Sequence, residues 1–140
     1  MPLSDQQLDL IRRSFDTLRE QMLPASTFFY DELFRRAPEL RQLFRDDLEG
    51  QGMKFMSTLA VIVDNLHHVE TLAPHYQELG KLHRHLGVTA EMFAPMGEAL
   101  IETIRDTLGD DYTRETEAAW RAAYAEMASA MIEGGGIEKQ

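Results

Sequence analysis

Cysteine is absent from the 140 residues. That absence alone removes disulfides, thiolate zinc sites, iron–sulfur clusters and cysteine nucleophiles. Positive charge is scarce too: 14 lysines and arginines stand against 24 aspartates and glutamates, for a formal charge of −10. Nonspecific nucleic-acid binding runs on clustered Lys and Arg neutralising phosphates, so no nucleic acid is expected as a partner, and no membrane either. Long apolar runs are missing. The longest aliphatic one, Leu59-Ala60-Val61-Ile62-Val63, falls far short of the roughly 20 residues that span a bilayer. The start, Met1-Pro2-Leu3-Ser4-Asp5, has neither the basic nor the apolar region of a secretory signal. A soluble, cytoplasmic protein is therefore expected. Nor is there any sustained two-residue alternation bounded by hairpin turns, so strands have no foothold.

What the chain has is helical periodicity. Ser4 and Gln7 make a capping-box pattern ahead of Leu8, Ile11, Phe15 and Leu18, giving an amphipathic helix over about 4–20. Pro24 suits the first turn of a second helix carrying Phe29, Tyr30, Leu33 and Phe34, which Ala37-Pro38 breaks. A short turn over 39–44 follows, and Asp46-Asp47 can cap the next helix. From 48 to 68, Met53, Phe55, Met56, Leu59, Ile62, Val63 and Leu66 form a wide apolar face. Thr71 and Pro74 open a fourth helix that Gly87 ends. Thr89 is an N-cap candidate for a helix over 89–108 closed by Gly109, and Thr113 starts the last one, with Trp120, Tyr124, Met127 and Met131 as its stripe. The fold class is all-α: about six main helices and a short turn in one domain, residues 1–133, followed by a flexible tail, 134–140.

Three polar residues lie on apolar faces. His83 shares a stripe with Tyr76, Leu79 and Leu86. A buried imidazole either finds a hydrogen-bonding partner in the core or ligates something. Gln51 falls in line with Phe55, Leu59 and Ile62 near a helix start, facing the interior or meeting water at a frayed end. Tyr30 sits among Phe29, Leu33 and Phe34, and a buried tyrosine hydroxyl normally finds a partner.

Together these residues resemble a globin. The pattern is Tyr30, eight residues before Pro38; Phe44, six after it; Gln51, seven further; the Leu79-Gly80-Lys81-Leu82-His83 stretch; Gly87-Val88; then Gly97 and Trp120. It covers about residues 4–132. The Tyr30/Gln51 pair is similar to bacterial single-domain globins and to the globin part of flavohaemoglobins.

The resemblance implies a globin fold packed around haem b, with His83 holding the iron. Tyr30 and Gln51 would stabilise a bound ligand from the other side, and Phe44 would pack on the porphyrin. By the same carry-over Phe55, Leu59, Val88, Phe93 and Met96 are pocket walls, and Lys54 reaches a haem propionate by snorkelling, with Arg84 and His85 as further cationic candidates. A phenol O–H and an amide N–H aimed at bound O₂ favour high affinity. The ligands implied are O₂, and also NO or CO.

Two departures from flavohaemoglobins bear on chemistry. Phe93 stands where that group has a tyrosine behind the histidine, and Gly134, Gly135 and Gly136 stand where a late acidic residue would complete a hydrogen-bonded network. Without that network His83 should be a moderate electron donor, suited to holding oxygen more than to cleaving it. No reductase domain follows in the sequence, so nitric oxide dioxygenation, the enzymatic alternative, would need a separate reductase. A helical sensor or interaction module without haem is the other alternative. The sequence leaves both a monomer and a homodimer open. Asp64-Asn65-Leu66-His67 is the sole approximation to a di-iron motif, and hydrolase triads and phosphate loops have no counterpart.

Overall fold

The computed structural model of the chain describes residues 3–44 and 47–137. Six α-helices account for most of them: α1 (Asp5–Arg19), α2 (Met22–Arg36), α3 (Leu48–Asp64), α4 (Val69–His85), α5 (Phe93–Leu108) and α6 (Arg114–Gly135). Short 3-10 turns occupy Pro38–Leu43, Ala90–Met92 and Gly109–Asp111, and no strand occurs among the described residues.

Local chemistry accounts for most boundaries. At the start of α1 both halves of the capping box form: the Gln7 N–H donates to Ser4 Oγ at 3.1 Å and the Ser4 N–H to Gln7 Oε1 at 3.0 Å. Asp47 caps α3 through the Gly50 N–H, while Asp46 lies outside the described residues. Thr113 caps α6 by accepting from the Thr116 N–H.

Other expectations need correction. α3 stops at Asp64, short of residue 68, where the Asn65 amide turns back to the Val61 carbonyl. α4 begins at Val69, so Pro74 lies inside the helix and does not open it; it is exposed, and the bond it forfeits would have gone to the Glu70 carbonyl. Thr89 has extended backbone angles but makes no side-chain cap, and a 3-10 turn precedes α5. Met53 is half-exposed, outside the apolar face of α3. The expected tail from residue 134 is instead helical through Gly135, and Ile137 is buried beside Val88 and Phe93.

The core lies between α1, α2, α3, α5 and α6, with Ile11, Phe15, Leu33, Met56, Leu100, Ile104 and Trp120 buried in it. Trp120 satisfies its indole there: Nε1–H donates to Ser14 Oγ at 2.7 Å. α4 stands against α6 across a glycine pair. A Cβ on Gly80 would meet the Met131 carbonyl oxygen and come within 2.9 Å of Gly135 Cα, so only glycine permits the approach. This crossing lies one turn before His83. Among the described residues, no helix is long and apolar enough to cross a membrane.

Candidate functional site

His83 occupies the last turn of α4, and its ring is held from within the helix. The contact runs from Nδ1 to the Leu79 carbonyl oxygen at 2.6 Å. A carbonyl only accepts, so Nδ1 carries a proton here and Nε2 is the ring nitrogen left to ligate a metal. The backbone beyond it is fixed as well. Gly87, at φ +94°, permits a Schellman closure in which the Gly87 N–H donates to the Arg84 carbonyl at 3.0 Å and the Val88 N–H to the His83 carbonyl at 2.9 Å.

His83 faces two apolar cavities. One has a volume of about 90 Å³ and is walled by Phe29, Phe55, Leu59, Phe93 and Met96 together with residues of α5 and α6. The other, about 110 Å³, is bounded by Phe44, Gln51, Leu86, Val88 and Met96. His83 and Met96 line both. Every expected pocket wall, Phe55, Leu59, Val88, Phe93 and Met96, therefore borders one or both, as do Phe44 and Gln51.

Tyr30 and Lys54 line neither. Tyr30 is buried in an aromatic cluster, its ring 5.2 Å from Phe44, 5.4 Å from Phe29 and 5.8 Å from Phe34. Burial alone pushes its hydroxyl up to about 12, with no hydrogen bond contributing. Gly52 allows this packing: a Cβ there would stand 2.8 Å from Ser26 Cβ and 3.1 Å from the Tyr30 ring edge. Gly52, the neighbour of Gln51 in sequence, thus packs α3 against the Tyr30 ring of α2. Lys54 is exposed. Arg84 and His85 are exposed and line neither cavity, and the Arg84 guanidinium lies toward Gly136.

The helical stripe of α4 is narrower than its sequence suggests. Tyr76 is buried and Leu79 half-buried, but Leu86, which borders the second cavity, is 55% exposed.

Sequence reasoning missed the α6 wall. Tyr124, Met127 and Met131 were legible as an inward stripe, yet nothing in their spacing says that they border the space beside His83. Tyr124 lies flat against Gly97, where a Cβ would come within 2.6 Å of its ring, and its hydroxyl donates to the Phe93 carbonyl at 2.6 Å. Phe93 in turn stands 5.8 Å from the His83 ring. The acceptor for His83 is thus a neutral carbonyl, with Phe93 beside the imidazole and Gly135 behind its helix.

Comparison with known proteins agrees with this geometry. The globin family profile matches residues 27–131. A flavohemoprotein of Bordetella parapertussis is 31% identical over 133 residues, covering 93% of this chain and 33% of its own, so the chain spans about a third of the length of that relative. The neuroglobin of Dissostichus mawsoni is 30% identical over 146 residues, covering 94% of this chain and 92% of its own. Among solved structures, an engineered carbene transferase, described as a candidate nitric oxide dioxygenase from Rhodothermus marinus, superposes with a TM-score of 0.86 at 28% identity, covering 96% of this chain and 94% of its own. Six helices in this arrangement, matched along nearly their whole length, make this chain a member of the globin family.

Proposed function

We propose that the protein binds haem b through His83 and uses it to bind O₂ reversibly. The observation that carries this reading is the His83 hydrogen bond: Nδ1 is committed to the Leu79 carbonyl and Nε2 is left to ligate, beside two apolar cavities. Among the described residues no cluster of three His, Asp or Glu could hold a bare metal ion, so a metal at His83 needs its other ligands from a macrocycle. Apolar walls on both sides suit the faces of a porphyrin. Haem supplies, when bound, an iron that takes up diatomic ligands.

The chain's own residues set what happens there. His83 would hold the iron and Phe44 would pack against the porphyrin. Gln51 lines the cavity away from α6 and offers amide N–H groups to a ligand. Tyr30, a neutral phenol at all ordinary pH, offers an O–H from the α2–α3 crossing. Two such hydrogen bonds, roughly 0.5–3 kcal/mol each, favour the ligated state and slow ligand loss. Gln51 is also a poor metal ligand, so it would leave room for a diatomic ligand to bind. Lys54 is the cation assigned to a propionate.

The absorption spectrum tests this reading. Purified protein should be red with an intense Soret band that shifts on reduction and on oxygenation. A colourless protein that takes up no haemin would end it, and would favour the helical module without haem, which the relatives do not favour.

A second reading is nitric oxide dioxygenation, with the overall stoichiometry NO + O₂ + e⁻ → NO₃⁻. The likeness to flavohemoproteins and to the Rhodothermus marinus structure supports it. A separate reductase would supply the electron, and NO consumption with and without one distinguishes catalysis from carriage.

A further inference from the structure

The 3-10 turn Pro38–Leu43 sends Leu40 and Leu43 to the second cavity, together with Phe44 that follows it, and leaves Arg41 exposed. Arg35 and Arg36 nearby bind the Glu32 carboxylate. The Arg41 guanidinium instead turns back on its own turn. Its Nη1 donates to the Phe44 carbonyl, while the Phe44 N–H donates to the Arg41 carbonyl at 3.1 Å, so the N–H and the C=O of Phe44 are both tied to one residue. The same guanidinium lies over the Phe34 ring, 5.5 Å from its centroid, within the roughly 6 Å of a cation–π contact. Phe34 and Phe44 in turn both pack on Tyr30. Phe34 lies nearly parallel to it, at 13° and 5.8 Å, Phe44 meets it edge-on, at 65° and 5.2 Å, and the two stand 5.5 Å from each other. A side chain that caps its own turn is ordinary. One that also covers the ring stacked on Tyr30 reaches into the site.

We propose that Arg41 is a positioning residue for ligand binding: it fixes Phe44 and, through the Phe34 and Phe44 rings, the direction of the Tyr30 hydroxyl. The proposal rests on the haem reading above and on Tyr30 as a donor to the bound ligand. A phenol oxygen lies on the axis of its ring, so the ring's placement decides where the O–H can reach. No hydrogen bond of its own contributes to holding the Tyr30 hydroxyl, which leaves that placement to the packed rings. Aromatic pairs prefer offset or edge-to-face geometries and yield when a neighbour moves. Arg41 anchors two of the neighbours from outside, one through its backbone and one through its face. Being exposed, it can be replaced without opening the core.

The test compares Arg41→Gln, Tyr30→Phe and the double variant, all loaded with haem. Loading is checked by the Soret band, so a failure of the haem reading shows before any variant is compared. The first readout reports the clamp and involves no oxygen chemistry. In the ¹³C,¹⁵N-labelled ferrous CO form, Arg41→Gln should move the Phe44 carbonyl carbon upfield, as loss of a hydrogen bond does, and shift the ring protons of Phe34, Phe44 and Tyr30. The second readout is O₂ dissociation, followed by CO displacement. Arg41→Gln should speed it about threefold, a part of what one hydrogen bond supplies. In the Tyr30→Phe background the same substitution should leave the rate unchanged, because the two residues act through one hydroxyl and their effects do not add. Arg35→Gln is the charge control. It removes a cation next to Phe34 in sequence, one that binds Glu32 at 2.8 Å, and should change neither readout. An unmoved Phe44 carbonyl would overturn the proposal, as would equal acceleration by Arg41→Gln in both backgrounds or equal acceleration by Arg35→Gln. A normal effect of Tyr30→Phe with none from Arg41→Gln would overturn this proposal alone. No effect from Tyr30→Phe in a protein with a normal Soret band would remove the donor role of Tyr30 and this proposal with it, leaving haem binding intact.

Discussion

The Nδ1–H of His83 donates to the carbonyl oxygen of Leu79 at 2.6 Å, so the proton of the proposed iron ligand rests on a neutral acceptor from its own helix. A carboxylate in that role would draw the proton away and make the imidazole strongly electron-donating. Here Phe93 stands beside the ring and Gly135 packs behind the helix. The ferrous form should therefore show an iron–histidine stretch typical of a neutral imidazole. A frequency typical of imidazolate, measured by resonance Raman, would contradict this arrangement.

Tyr30→Phe removes a single hydroxyl from a ring that is otherwise locked by Phe29, Phe34 and Phe44. The fold should be unaffected, and O₂ should dissociate several-fold faster, in line with the loss of one hydrogen bond of about 1 kcal/mol. Stopped-flow displacement of O₂ by CO measures the rate. An unchanged rate would remove Tyr30 from the ligand site, a sharp test because Tyr30 borders neither cavity.

Tyrosine burial sets an alkaline limit on stability. Burial pushes Tyr30 up to about 12; burial reinforced by the Glu126 carboxylate does the same to Tyr76, and burial with a hydrogen bond to Glu117 does so to Tyr112. In the unfolded chain these phenols ionise near 10. Above about pH 10 the unfolded state sheds protons that the native state retains, so stability is complete below pH 10 and falls steadily toward pH 12. The tyrosinate band in the near ultraviolet should rise together with loss of helical circular dichroism. Ionisation near pH 10 in an intact fold would show that the rings are less buried than they stand here.

Most of the fold was legible because its punctuation is local. Ser4 with Gln7, Thr113 and Gly87 each act within one turn of their own position, and spacing alone reveals them. The misses came from longer range. Pro74 reads as a helix start, yet α4 begins at Val69, with Leu72 buried in the core, and runs through a residue whose lost bond faces water. Gly134-Gly135-Gly136 reads as a tail because glycine is a poor helix former. Its value lies across space, in the Gly80 backbone it touches. At the site, His83, Phe44 and Gln51 were recoverable from spacing within a family pattern. Tyr124 was not, since its role depends on Gly97 and on the Phe93 carbonyl of another helix.

That glycine contact yields a further expectation. A methyl at Gly80 would meet the Met131 carbonyl oxygen, a backbone atom that cannot rotate aside, so α4 must move away from α6. Overpacking of this kind costs about 1–3 kcal/mol, and Gly80→Ala should lower the melting temperature by several degrees. Because His83 lies one turn further along the same rigid helix, the displacement should also speed transfer of haem to an apomyoglobin acceptor. Gly134→Ala is the natural comparison. Its methyl would stand 3.3 Å from Gln77 Cα, a tight but tolerable approach, and the gain in helix propensity, roughly 0.5–1 kcal/mol, offsets the crowding. Near-neutral stability in Gly134→Ala beside a clear loss in Gly80→Ala would show that the single close crossing, more than glycine content, holds the histidine in place. Equal behaviour of the two variants would refute it.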